Sequence, residues 1–367
     1  MLYITVICAS QEPSARSFSE QFHWNILSIY SIISKVDKFI SVVIPNYNAC
    51  NTIGKCLEAV LSSQYDHFEV IVVDDGSSDN SIEIINTFPC KLIQLFKHAG
   101  ASRARNTGAR ESAGDIIFFI DADCIVAEDT LSLVHKAMSV PEADVIGGSY
   151  TPLPYDSNFF SIFQSVFINY SELKRKEPDY IASHSMAIEK RIFEKSGGFP
   201  EQFLPIIEDV ELSHRLRRAG YKLQMAPEIL VRHIFNFTFW NSLRNAFRKS
   251  RYWIMYSLDN KDVFKDSGTA SRELKINVLS YFLILLFLLF YFSLTNGIFL
   301  LLPLIIVCLN LYVNRNLLRA FYCAKGAFFT IPASLYYTML YPLAVGAGSF
   351  TGMIQYFRNA GQESKQE

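Results

Sequence analysis

Asp121 and Asp123 end the run IIFFIDADC (116–124), in which five apolar residues lead straight into two carboxylates separated by Ala122. In an extended chain residues i and i+2 project to the same side, so both carboxylates can face one point while Ala122 turns away. Two such charges about 4 Å apart repel by roughly 1 kcal/mol even at the dielectric of water. A bound dication removes that penalty, and hard oxygen ligands with few histidines nearby favour Mg²⁺ or Mn²⁺ over zinc. These ions bridge carboxylates to phosphates, so the pair points to a diphosphate-bearing substrate.

Other polar clusters also follow apolar runs. PNYN (45–48) follows FISVVI, and DDGSSD (74–79) follows FEVIVV. Asp74 and Asp75 offer acceptors to ribose hydroxyls or a base N–H, and Tyr47 offers a ring on which a base can stack. Arg103 and Arg105, in SRARNTG (102–108), can neutralise phosphate or hold acidic residues in place. Glu208 and Asp209 open EDVELSHRLRRAG (208–220), a helical segment with acids first, bases last and Gly220 at its stop. Dipole matching alone accounts for such a pair in isolation. Neither a P-loop nor a dinucleotide fingerprint is present to explain a phosphate ligand.

The elements that must position these residues alternate. FISVVIP (39–45) is rich in β-branched residues, and TIGKCLEAVLSSQ (52–64) places Ile53, Leu57, Val60 and Leu61 on one helical face. FEVIVVDD (68–75), KLIQLF (91–96) and DIIFFIDAD (115–123) read as further strands, with helices between them. Near-continuous apolar strands separated by helices predict an α/β fold, a mostly parallel sheet with helices on both faces. Ligands of such sheets bind at the carboxyl ends of the strands, where the polar clusters lie.

With these residues in view the chain resembles the family 2 glycosyltransferases of GT-A fold. SVVIPNYN, VIVVDDGSSDNS, AGASRARNTGA, IIFFIDADC, SGGFPE and EDVELSHRLRRAGYKL carry the likeness, over roughly residues 39–235. It implies a nucleotide-diphosphate-sugar donor, UDP- or GDP-linked, a divalent metal (Mn²⁺ or Mg²⁺), and inversion at the anomeric carbon. By position, Pro45 belongs to the donor-binding set. Tyr47 and Asp75 would contact the base, Asp74 and Arg105 would support the nucleotide, and Asp121 would lie beside ribose and metal. Asp123 would be the main metal ligand, and Asp209, with Glu208 beside it, the general base. His233, after the last predicted strand, is either a third metal ligand, as in some relatives, or a histidine satisfied at a strand end. His184, in ASHSMAIEK (182–190), occupies a place where many relatives carry a Gly-Asn pair, so the acceptor pocket does not carry over.

The remaining sequence reads as membrane-associated. No formal charge occurs in the 39 residues between Lys275 and Arg315 or in the 32 between Lys325 and Arg358. At about 1.5 Å per residue these stretches suffice for two spans and one span of a roughly 30 Å hydrocarbon layer. The expected organisation is an extension of unknown role (1–38), a GT-A domain (39–235), an amphipathic interface segment (236–272), a transmembrane region (273–352) and a tail (353–367). Spans are expected near 275–294, 298–314 and 328–350, the third either crossing fully or re-entrant around Pro332 and Pro342. Arg315, Arg319 and Lys325 in the loop 314–327 place that loop, and with it the catalytic domain, in the cytoplasm. In 237–256, Trp240, Leu243, Ala246, Phe247, Trp253 and Ile254 share one arc bordered by arginines. That helix either lies in the headgroup layer or packs on the catalytic domain.

Composition narrows the partners. The 34 basic and 35 acidic residues give no global electrostatic case for binding nucleic acid. Seven scattered cysteines without a C-x-x-C pair suit reduced thiols, and the first residues lack the basic region of a secretory signal. The expected activity is transfer of a sugar to a hydroxyl of a lipid-linked or glycan acceptor. A processive polysaccharide synthase is the alternative, disfavoured because RKSRYW (248–253) lacks the Gln of the Q-x-x-R-W signature. A nucleotidyltransferase would need a Gly-rich basic loop that PNYNACNTIGK does not supply, and a non-catalytic binding scaffold would not need the intact acidic rim.

Overall fold

The computed structural model describes residues 37–140, 143–202 and 205–363, with side chains through 359. The extension 1–38 therefore lies outside the described residues except for its last two. The alternation read from the sequence is present as β1 (Ile40–Asn46), α1 (Ile53–Leu61), β2 (Phe68–Asp74), α2 (Ser81–Ile85), β3 (Lys91–Gln94), α3 (Ala101–Arg110) and β4 (Ile116–Ile120). It continues as β5 (Cys124–Val126), α4 (Thr130–Met138), β6 (Val145–Tyr150), α5 (Phe159–Leu173), β7 (Ser185–Glu189), α6 (Lys190–Ser196), α7 (Glu208–Arg218) and β8 (Leu223–His233).

The eight strands form one sheet in the order β3-β2-β1-β4-β7-β6-β8-β5. β1 to β4 pair in parallel, which brings Asn46 opposite Asp74 at neighbouring strand ends. Beyond β4 the sheet is mixed. β7 runs antiparallel between β4 and β6, and β5 pairs antiparallel with β8, so that Cys124 faces His233. Strand direction leaves no mark on an apolar run, which is why SMAIE carried no hint of it.

Alternation along the strands feeds two cores. Val42, Ile44, Phe118 and Ile120 pack under α1, α4 and α5, while Val43, Ile117 and Phe119 pack against Phe193, Phe199, Leu212 and Leu216. Each such side chain contributes about 1.5–3 kcal/mol by leaving water. A Cβ at Gly108 would run into Val43, so glycine is what lets α3 lie this close to the sheet and carry Arg105 to its edge.

The C-terminal part comprises α8 (Phe239–Asp259), α9 (Arg272–Leu294), α10 (Ile298–Val313), α11 (Arg315–Lys325), α12 (Ala327–Leu335), a π-helical turn (Tyr336–Leu340) and α13 (Tyr341–Glu363). α9 and the continuous helix Ala327–Asn359 are long and apolar enough to cross a membrane; α10 with α11, bent by 63°, is a third candidate. The segment expected as a basic loop at 314–327 is largely α11. Its Leu317 and Phe321 are buried, with the Phe321 ring stacked 5.4 Å from that of Phe163 on α5, while Arg315, Arg319 and Lys325 stay exposed.

α8 packs along α13. Side chains at Gly348 and Gly352 would overlap the α8 backbone at Phe247 and Arg251, and the Arg251 guanidinium donates to Gln355. Small residues four apart allow this close approach. The aromatic arc of α8 is consequently divided: Trp240 is 68% exposed, whereas Trp253 packs 5.7 Å from Tyr180 of the sheet domain. Asn277, Asn310, Asn314 and Tyr337 form a buried hydrogen-bonded chain that fastens α9 to α10 and to the π-helical turn. From Phe39 onward the chain is one compact unit.

Candidate active site

β4 delivers Asp121 to the sheet edge, and α3 delivers Arg105 beneath it. Arg105 donates through Nη2 to Asp121 Oδ1 at 2.7 Å and through Nη1 to Glu208 Oε1 at 3.0 Å. One guanidinium thus ties the end of β4 to the start of α7. Burial disfavours both partners' charges, yet Asp121 and Glu208 outweigh it for Arg105, and Arg105 outweighs it for Asp121. Arg105 stays cationic and Asp121 is held below the usual carboxylate range. Arg103, two residues away, is exposed.

Asp123 lies on the other side of Asp121. Its Oδ1 is 3.4 Å from His233 Nε2, an approach built by the pairing of β5 with β8. One ligand atom each from Asp123, Cys124 and His233 falls within 4.8 Å of the others. Protein encloses Asp123 although 39% of its side chain opens to the cleft, and this enclosure with the nearby Asp121 pushes it up to about 7. Burial pushes His233 down to about 3, so its imidazole is neutral and available as a ligand. Burial, with Asp123 and Asp121 nearby, raises the Cys124 thiol, and a soft sulfur is the least suited of the three to a hard divalent cation. A carboxylate and a neutral imidazole, with Asp121 alongside, fit a divalent cation of the Mn²⁺ type.

Asp209 occupies the first turn of α7. It accepts from the Ser183 amide at 3.3 Å, and burial together with Glu208 pushes its carboxyl up to about 7. That value suits a group that takes a proton near neutral pH.

Asp74 and Asp75 are 1% and 2% exposed and are engaged internally. Asp74 accepts from Asn46 and from both the amide and the hydroxyl of Ser77. Asp75 accepts from the amides of Ala99 and Gly100 and lies 2.8 Å from His98 Nδ1. These carboxylates shape the loops at the ends of β1 and β2, where Pro45 lies within β1. Tyr47 is 47% exposed, and its ring stacks 4.0 Å from His98.

A cavity of about 530 Å³ runs from this edge toward the C-terminal helices. Arg105, Asp121 and Asp209 line one end; Leu274 and Val278 of α9 and Val345 of α13 line the other.

The family model described as Glycosyl transferase family 2 matches residues 41–196. Over these residues the chain is similar to the family 2 glycosyltransferases. Glycosyltransferase AglE of Haloferax volcanii is 29% identical over 241 residues, 62% of this chain and 78% of that protein. Glycosyltransferase GlyG of Streptococcus pneumoniae is 34% identical over 131 residues, 34% of this chain and 44% of that one. A mannosyltransferase from Pyrobaculum calidifontis, solved with GDP-Man and Mn²⁺, shares the GT-A fold at a TM-score of 0.55. It is 15% identical, and the likeness covers 94% of this chain and 97% of the other.

The fold brings Asp121, Asp123, Arg105, Glu208, Asp209 and His233 to one sheet edge, while Tyr47, Asp74 and Asp75 gather around β1 and β2. Three residues of the edge escaped the sequence reading. His98 packs on Tyr47; Gln164 and Glu172 line the cavity from α5.

Proposed function

We infer that the chain transfers a glycosyl group, with inversion, from a nucleotide-diphosphate sugar to a hydroxyl of a lipid-linked or glycan acceptor. The observation that carries this reading is the Arg105 bridge, which joins the acidic end of β4 to the helix of Asp209 across one cavity. The acceptor oxygen attacks the anomeric carbon, the bond to the diphosphate breaks, and the electron pair leaves with the diphosphate. Asp209 takes the proton of the attacking hydroxyl, so no covalent intermediate on the protein is required.

A divalent ion held by Asp123 and His233, with Asp121 beside it, would neutralise the charge that develops on the departing diphosphate. Tyr47 and His98 offer a stacked face for the base. Asp74 and Asp75 hold the loops that frame it, and Arg105 keeps Asp121 ionised and oriented toward ribose and metal. Embedding of α9 and of the helix 327–359 in the bilayer, with basic α11 on the cytoplasmic side, would keep the catalytic domain in the cytoplasm.

Calorimetry of the purified protein with UDP- and GDP-sugars tests the reading, with Mn²⁺ and with chelator. Saturable binding of at least one sugar nucleotide that chelation weakens is the expected result. Binding that ignores chelator would remove the metal, and absence of binding to every nucleotide would remove the transfer reaction.

A further inference from the structure

We propose that the helix Ala327–Asn359 lies along the membrane surface and does not cross it, so that the tail after Arg358 stays on the side of the catalytic domain. The proposal rests on the membrane association inferred above and fixes how this helix meets lipid. Length and composition alone admit it as a span, because both of its faces are apolar. What the two faces touch is different.

One face is held by the catalytic domain. Phe329 packs 5.2 Å from Phe159, Tyr336 4.8 Å from Phe163 and Tyr341 5.7 Å from Phe167, and all three partners belong to α5. Farther along, Gly348 and Gly352 lie against the α8 backbone, and Gln355 accepts from Arg251. From Phe329 to Gln355 the helix rises about 39 Å, more than the roughly 30 Å of hydrocarbon that a span must cross. Any crossing segment would therefore draw α5 or α8 into the hydrocarbon with it. α5 packs on β6 of the sheet and carries Glu172, while α8 exposes Arg244 and Arg248. Charges of that kind are costly at bilayer depth.

The other face is bare. Ile331, Leu335, Met339, Leu343, Phe350 and Phe357 are exposed, and their steps of four or seven residues set them in one stripe. Beside the second half of the helix runs α8, whose exposed Trp240, Arg244 and Arg248 supply an interfacial ring and two headgroup-seeking cations. A long apolar stripe flanked in this way suits the boundary between headgroups and acyl chains. Seated there, the helix leaves the α9–α10 hairpin as the deeply inserted part. It also brings the cavity wall formed by Ala246 and Val345 to the membrane surface.

The test uses the full-length protein with a decahistidine tag after Glu367, in sealed phosphatidylcholine vesicles. Flotation with the vesicles is read first. A protein that does not float removes the membrane association itself, and the inference falls with it. Trypsin is then added outside. With tail and catalytic domain on one side, each chain is either cut in both or protected in both, so the tag should survive only on full-length chains. Tagged fragments that have lost the catalytic domain overturn the proposal. Depth is read from spin labels at Leu335→Cys, Leu343→Cys, Phe350→Cys and Phe357→Cys, one at a time in a cysteine-free background, by collision with oxygen and with a nickel chelate. The four depths should agree within one helical pitch, about 5 Å, whereas a span would spread them over about 33 Å of its axis. Depths that progress from one leaflet to the other overturn the proposal. So do labels shielded from both reagents, which would put a second copy of the chain on the stripe. If the cysteine-free protein fails to fold, the trypsin result, which needs no substitution, decides alone.

Discussion

Arg105 Nη2 lies 2.7 Å from Asp121 Oδ1, with the arginine side chain only 5% exposed. Glu208 takes the other terminal nitrogen, so the cation is shared by two carboxylates from distant parts of the chain. Arg105→Gln leaves both without a counter-charge, and breaking a buried pair in this way costs about 3–5 kcal/mol. The melting temperature should fall clearly, and by less in Arg105→Lys, which keeps the charge but cannot fork between two acids. A Gln variant that melts with the parent would show that the bridge does not hold the edge together.

Asp209→Asn preserves the shape of the side chain and removes its basicity. Turnover should drop by about 10²–10⁴-fold, the usual contribution of a positioned base. Nucleotide affinity, measured by calorimetry, should be unchanged. Turnover at the parental rate would take the base role away from Asp209.

The pH dependence follows from the same group. With Asp209 raised by burial and Glu208 to about 7, the rate should climb through pH 7 as the carboxyl ionises, then level off. Stability moves in the opposite sense. Folding favours the protonated form, so the group's contribution is full below its unfolded value of 3.8 and is lost as pH rises through 7. Asp209→Asn should therefore gain on the parent between pH 4 and pH 8, by at most about 4 kcal/mol. Parallel melting curves across that range would contradict the raised value.

Metal affinity should divide unequally among the acidic edge residues. Asp123→Ala should abolish the Mn²⁺ dependence of nucleotide binding, and His233→Ala should weaken it less. Cys124→Ser should leave it unaltered, because a soft sulfur suits a Mn²⁺-type ion poorly. Mn²⁺ titrations in the presence of nucleotide read all three. A Cys124→Ser variant weaker than His233→Ala would place sulfur among the ligands.

The contact of α8 with α13 depends on two missing side chains. Gly352→Val should push the helices apart at Arg251, and overpacking of this kind typically costs about 1–3 kcal/mol. Faster proteolysis within 236–272 would report the separation. Unchanged protection would mean that α13 is held elsewhere.

The sequence made the strand ends legible because the physics there is local. An apolar run that stops at a polar cluster is visible residue by residue, and so Asp121, Asp123, Tyr47 and the Asp209 helix could be named in advance. The helix in SRARNTG was equally readable, but which arginine matters was not. Arg103 and Arg105 lie about 200° apart around the helix, and only packing against the sheet, permitted at Gly108, decides which one is buried. The internal engagement of Asp74 and Asp75 was hidden for a similar reason, since apart from Ser77 their partners Asn46, Ala99 and Gly100 are remote in the chain. The direction of β7, the existence of α11 and the cavity wall on α5 belong to tertiary contacts that no window of sequence contains.

The cavity has one more consequence, for anyone who would dissect this protein. Leu274, Val278 and Val345 close the same space into which Asp209 faces. A fragment ending at residue 235 would retain the acidic end and lose the cover over the other, becoming an open trough. Cutting the chain at its apparent boundary therefore removes half of the cavity along with the C-terminal helices.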